Sequence, residues 1–92
     1  MESDVKSARA NATGTLVAGP VRLKAMHVSA AATAGTITFR DGGASGTTLC
    51  VVDTPALATA TIDIEIPENG IRFSTDIHAT LTNASAVTIF YA

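Results

Sequence analysis

Apolar and polar residues alternate along most of the chain after residue 12, in short runs that favour β-strands. The clearest runs cover 35–40, 59–66 and 77–82, where Ile, Phe, Leu or Ala alternates with Thr, Asp, Glu or another polar residue. Successive side chains of a strand point to opposite faces of the sheet, so each run can bury one face and expose the other. No run has the three-to-four-residue period of an amphipathic helix. The pattern therefore predicts an all-β chain.

Turn residues separate these runs. Gly, Pro, Asn or Asp stands at 19–20, 41–46, 67–70 and 83–85, where such residues supply the backbone angles that tight turns require. About eight short strands result, spaced about ten residues apart, which is typical of a small antiparallel β-sandwich, jelly-roll-like in its strand count. The predicted strands are 13–18, 21–29, 35–40, 47–52, 59–66, 71–74, 77–82 and 86–91.

Three segments depart from simple alternation. The pattern slips at 26–28, which predicts a β-bulge or a strand end there. The run 47–52 is apolar on both faces, so we expect a strand that is central or covered on both sides. Residues 1–12 have no strand or helix period and predict an extended N-terminal arm, either frayed or ordered only against a neighbouring subunit. The domains are therefore the arm, 1–12, and a β-sandwich, 13–92.

Composition narrows the class of protein. The 92 residues form one small domain, with 47% hydrophobic, 15% charged and 4% aromatic residues and a net charge of −2. That charge argues against a protein that coats nucleic acid, and a single cysteine excludes an internal disulfide. The sequence has neither the apolar run of a membrane span nor a signal peptide's apolar region. So few charges predict a surface that neighbouring subunits cover.

The sequence offers no convincing reactive site, so we predict no catalytic residue, no metal ligand and no cofactor. His27, His78 and Cys50 lie far apart and lack metal-ligand spacing. His78 alternates outward and is expected to be exposed or in an interface, and Cys50 to be a small buried hydrophobe. Asp63 and Glu65 share the polar face of one strand, which predicts ordinary ionised carboxylates. The glycine-rich hairpin lacks the Lys and helix of a phosphate loop.

Candidate interaction residues lie in the arm, on one basic strand face and in the last strand. Arg22 and Lys24 share a face without interleaved aromatic residues, so they do not form a stacking platform for single-stranded nucleic acid. They either dock on an acidic protein surface or form a solvated face. Phe90 alternates away from the apolar face of its strand. The predicted interaction residues are Glu2, Asp4, Val5, Lys6, Arg9, Arg22, Lys24 and Phe90.

Two segments resemble small all-β proteins encoded in the structural modules of bacteriophages with short tails. They are GTITFRDGGASG at 35–46 and IPENGIRFSTDIHATLTNASAVTIFY at 66–91, and together they account for most of the chain after Val21. The resemblance implies a virion protein without catalytic residues. It implies a capsid decoration (cement) protein that binds and bridges major capsid protein subunits as a homo-oligomer, preferably a trimer. Such a protein is made in the cytoplasm of the bacterial host and lies on the outer surface of the capsid.

Two other functions fit parts of the sequence. A tail, portal-vertex or fibre-associated adaptor would need the same rigid β-module, and its copy number per particle would distinguish it from a decoration protein. A carbohydrate-binding module would need aromatic platforms for sugar rings. The aromatic side chains available for that purpose are Phe39, Phe73, Phe90 and Tyr91.

Overall fold

A computed structural model describes residues 5–92, which form nine β-strands and no helix. The predicted all-β class is confirmed, and the eight predicted strands all appear, with boundaries shifted by one or two residues. The strands are β1 (Lys6–Ala10), β2 (Gly14–Ala18), β3 (Val21–Ala30), β4 (Gly35–Asp41), β5 (Thr47–Thr54), β6 (Thr61–Glu65), β7 (Ile71–Phe73), β8 (Asp76–Thr82) and β9 (Ala84–Tyr91).

The strands pair into two antiparallel sheets. The first has the order β1-β9-β3-β6, and β7 pairs with the start of β3; the second has the order β2-β8-β4-β5. β6 pairs with β3 from Ala25 to Ser29 and β7 pairs with it from Val21 to Leu23, so β6 and β7 together fill one strand position. The eight positions that result, four in each sheet, have the order of a jelly roll. The predicted jelly-roll-like sandwich is confirmed.

The N-terminal segment corrects the sequence analysis. Residues 6–10 are not an arm outside the sandwich, because they form β1 and pair with β9 from Lys6↔Tyr91 to Ala10↔Val87. Ala8 and Ala10 pack against the core. β1 is therefore the first strand of the jelly roll. It is the one strand that the sequence analysis did not predict.

The core lies between the sheets and contains two phenylalanines. Phe39 and Phe73 are fully buried and are its largest side chains. Burying a large aromatic side chain removes more apolar surface from water than burying an aliphatic one does. These two residues therefore anchor a core that otherwise consists of aliphatic side chains and one methionine. The remaining buried core residues are Leu23, Met26, Val28, Ile37, Val52, Ile77, Ala79, Val87 and Ile89.

Two further expectations need correction. The bulge in β3 lies at Lys24, where the register with β9 shifts between Leu23 and Ala25, and not at 26–28. β5 is an edge strand and is not covered on both sides. Val52 is buried, whereas Val51 is 54% exposed. The apolar outer face of β5 is therefore a surface feature.

Removing β1 should destabilise the sandwich. A chain that starts at Asn11 loses the β1–β9 ladder and the cover that Ala8 and Ala10 give the core. Because each backbone hydrogen bond contributes about 0.5–1.5 kcal/mol net, the loss should be on the order of 3 kcal/mol. Urea unfolding followed by circular dichroism measures this change. The matched control starts at Val5 and keeps β1; equal stability of all three chains would show that β1 does not support the sandwich.

Candidate functional site

Asp41 connects the β4–β5 hairpin to the segment between β7 and β8, where the chain crosses from the first sheet to the second. Its carboxylate accepts hydrogen bonds from the backbone N–H groups of Ser74 (2.9 Å), Thr75 (2.8 Å) and Asp76 (3.3 Å). These bonds, those from Ser74 and Thr75 first, hold the pKa of Asp41 below its ordinary value, and the charge of nearby Arg72 adds a smaller effect. The segment that connects β7 to β8 is therefore held by a charged group on another strand.

Asp76, on the crossing side, in turn binds the β4–β5 hairpin. Its Oδ1 accepts hydrogen bonds from the backbone N–H groups of Gly42 (2.8 Å) and Gly43 (3.1 Å). Both glycines have positive φ (106° and 83°), a conformation that glycine adopts without steric cost. The two carboxylates thus join the β4–β5 hairpin to the segment that follows β7, while β7 itself pairs with β3.

A cavity of about 350 Å³ lies beside β7, at one end of the first sheet. Three of its lining side chains are cations: Arg22 and Lys24 from β3, and Arg72 from β7. The other lining residues are Pro20, Val21, Asn69 and Ala92. We call this the cationic cavity.

The cations of this cavity lack an ion-pair partner among residues 5–92. Arg22 and Arg72 are direct cross-strand partners, and like charges directly opposite each other destabilise a sheet. The one contact between a carboxylate and a basic side chain in the described part of the chain joins His27 and Asp63, on a different part of the first sheet. The carboxylate of Asp41 lies near Arg72 without forming an ion pair with it.

The backbone around the cavity is rigidly supported. The carbonyl of Lys24, at the bulge, accepts a hydrogen bond from the N–H of Ile66 (3.0 Å). Gly70 has a φ of 81°, and a Cβ atom there would collide with the carbonyl oxygen of Leu23. Only glycine therefore lets the turn before β7 lie directly against β3, where it brings Asn69 to the cavity.

A second surface runs along the free edge of the second sheet. Leu49 and Val51 of β5 are 37% and 54% exposed. Beside them lie the threonines of β4 and β8, paired as Thr36↔Thr82 and Thr38↔Thr80. We call Leu49 and Val51 the β5 edge and these four threonines the threonine face.

The residues considered for reactive chemistry remain apart. His78 is only 7% exposed, so the expected exposed histidine is wrong: Thr15 and Arg40 flank it, with Thr15 Oγ1 3.4 Å from its Nδ1. Cys50 is half-buried, and burial raises the pKa of its thiol. Within residues 5–92 no three His, Cys, Asp or Glu side chains lie close enough together to hold a metal ion.

Of the predicted interaction residues, the structure brings Arg22 and Lys24 together at the cationic cavity. Glu2 and Asp4 lie outside the described residues. The other four lie together at the β1 edge of the first sheet: Val5, Lys6 and Arg9 are exposed there, and Phe90 is half-buried on the adjoining β9, opposite Ser7.

The sequence analysis missed Arg72 and Asn69 as partners of Arg22. They follow Arg22 by about fifty residues, and only the pairing of β7 with β3 brings them to the same cavity. The available signal was weak. An Asn-Gly turn followed by an apolar–Arg–apolar run matches the run around Arg22, but it does not specify which strands pair.

Comparison with family models, with curated proteins and with solved structures gives no match to this chain. Residues 5–92 include no helix that is long and apolar enough to cross a membrane.

Asp41→Asn should destabilise the fold at neutral pH, because the amide has one acceptor oxygen and no charge. A carboxylate with a lowered folded pKa stabilises the fold fully above its unfolded value, 3.8, and loses that contribution as the pH falls through the folded value. We therefore expect a lower urea midpoint than wild type at pH 7 and a shrinking difference in acid.

Urea unfolding between pH 7 and pH 2.5 measures this difference. Asp53→Asn is the matched control, because Asp53 is an exposed aspartate on β5. A difference between wild type and Asp41→Asn that stays constant with pH would contradict the assigned role of the Asp41 charge.

Proposed function

We propose that this protein is a structural component of a bacteriophage virion that acts by assembly. In its most concrete form it is a capsid decoration protein. It binds the major capsid protein on the outer surface of the head, associates with copies of itself and bridges neighbouring subunits. Many weak contacts made at once hold such a protein in place, because each attached site raises the effective concentration of the next.

The observation that carries this proposal is the β5 edge. A free edge strand presents unpaired backbone N–H and C=O groups, and soluble proteins usually protect such strands with charges, prolines or a covering segment. Here the outer face of the edge has Leu49 and Val51, both exposed. An uncovered apolar edge strand favours addition of a strand from another chain.

The threonine face supports association beside that edge. Its threonines form two cross-strand pairs, and two charged residues adjoin it: Asp53, and Arg40, whose guanidinium donates a hydrogen bond to Thr80 Oγ1 (3.1 Å). Covering uncharged hydroxyl and methyl groups removes far less hydration energy than covering charges, so this face can be buried against another protein at small cost.

The burial of two aromatic side chains and the sequence motifs favour a virion role over sugar binding. Jelly rolls occur both in viral capsid proteins and in lectins, so the fold by itself does not decide between them. Phe39 and Phe73 are fully buried and unavailable to stack on sugar rings. The hairpin segment 35–46 and the closing segment 66–91 carry the resemblance to phage structural proteins.

Val51→Lys should prevent self-association without unfolding the chain. A lysine at this exposed position places a charge on the strand edge and should weaken association at least tenfold, as loss of a central interface residue does. Because Val51 lies outside the core, we expect the free energy of unfolding to change by less than about 0.5 kcal/mol. Sedimentation velocity over a concentration series measures association, and urea unfolding measures stability.

Leu57→Lys is the matched control. Leu57 is 57% exposed, close to the 54% of Val51, but lies outside the strands. We expect it to associate as wild type does. A wild-type chain that remains monomeric at high concentration, both alone and with purified heads of the phage that encodes it, would contradict the proposed function.

A further inference from the structure

We propose that the cationic cavity is a binding site for a phosphate group, either free phosphate or the phosphate of a small molecule. This inference goes beyond the proposed assembly function. The cavity lies at one end of the first sheet, whereas the β5 edge belongs to the second sheet.

The charges of the cavity need a counter-ion. Arg22 faces Arg72 across the β3–β7 ladder, Lys24 lines the same cavity, and none of the three has an ion-pair partner in residues 5–92. Two arginines opposite each other destabilise the sheet, and proteins tolerate such local conflicts with folding at functional sites. An anion between the guanidinium groups would turn their repulsion into attraction.

The chemistry of the lining favours phosphate over a single carboxylate. A guanidinium group donates paired hydrogen bonds that match phosphate oxygens, and two such groups with an ammonium suit a dianion better than a monoanion. The side-chain amide of Asn69 adds neutral donors. A volume of about 350 Å³ is at the small end of ligand pockets and can hold a phosphate with a modest attached group.

The backbone segments that carry the cations are already ordered in the absence of a ligand. Arg22 and Arg72 lie on paired strands, and the turn before Arg72 packs on β3 through Gly70. The hydrogen bonds of Asp41 fix the other end of β7. Binding therefore orders little backbone, which lowers its entropic cost.

An NMR titration with inorganic phosphate tests the site directly. Chloride keeps the ionic strength constant, and amide shifts of Arg22, Asn69 and Arg72 report binding. We expect saturable shifts confined to the cavity, with Arg22→Gln and Arg72→Gln each weakening binding by about tenfold or more, the effect of losing a hydrogen bond to a charged group. Arg9→Gln, an exposed arginine on β1, should bind as wild type does.

Thermal unfolding gives a second readout that does not depend on the shifts. In chloride alone, Arg72→Gln should unfold at a higher temperature than wild type, because the repulsion with Arg22 is gone. Phosphate should raise the midpoint of wild type by about 5 °C or more at ten times its dissociation constant and raise that of Arg72→Gln far less. Equal rises in both chains would indicate general exclusion of phosphate from protein surfaces and would overturn the site.

Acetate distinguishes the ligand class. Binding of acetate as tight as that of phosphate would overturn the assignment to phosphate, and absence of any saturable phosphate shift would overturn the site itself. Val51→Lys separates this inference from the assembly function. It should bind phosphate as wild type does while failing to associate, so one proposal can fail while the other stands.

Discussion

Two carboxylates hold the segment between β7 and β8, where the chain crosses from the first sheet to the second. Asp41 accepts the backbone N–H groups of the crossing, and Asp76 accepts those of the β4–β5 hairpin. β7 has only three residues and pairs with β3, and the hydrogen bonds of Asp41 hold the residues that directly follow it. The pairing of β7 with β3 sets Arg72 opposite Arg22. The geometry of the cationic cavity therefore depends on charge-assisted hydrogen bonds between residues about thirty-five positions apart in the sequence.

Local patterns predicted the strands well, and long-range pairing explains what they missed. Alternation identified β4, β6 and β8 because Ile, Phe, Leu or Ala alternates with a polar residue along each of them. β1 was missed because its inward residues are alanines, which become core residues only when β9 lies beside them. β5 was misassigned because apolar residues on both faces are typical of a central strand. Whether a strand is central or at an edge depends on the sheet order, which alternation does not encode.

The two surfaces of the molecule have different physical character. The β5 edge and the threonine face are nearly uncharged and suit close contact with protein, since little charge must lose its hydration there. The cationic cavity is small and concave, and its like charges repel one another in the absence of an anion. Because they belong to different sheets, contact along the β5 edge leaves the cavity free. The two proposals are therefore compatible: association would use the second sheet, and phosphate would bind at one end of the first.

Immunogold electron microscopy of intact virions tests the proposed role most directly. The proposed role requires a phage that encodes this chain, and gold-labelled antibody against the chain is applied to particles of that phage. A decoration protein on the outer capsid surface predicts label scattered over the whole head. Label restricted to one vertex or to the tail would contradict a decoration role, and particles without label would contradict exposure on the virion surface.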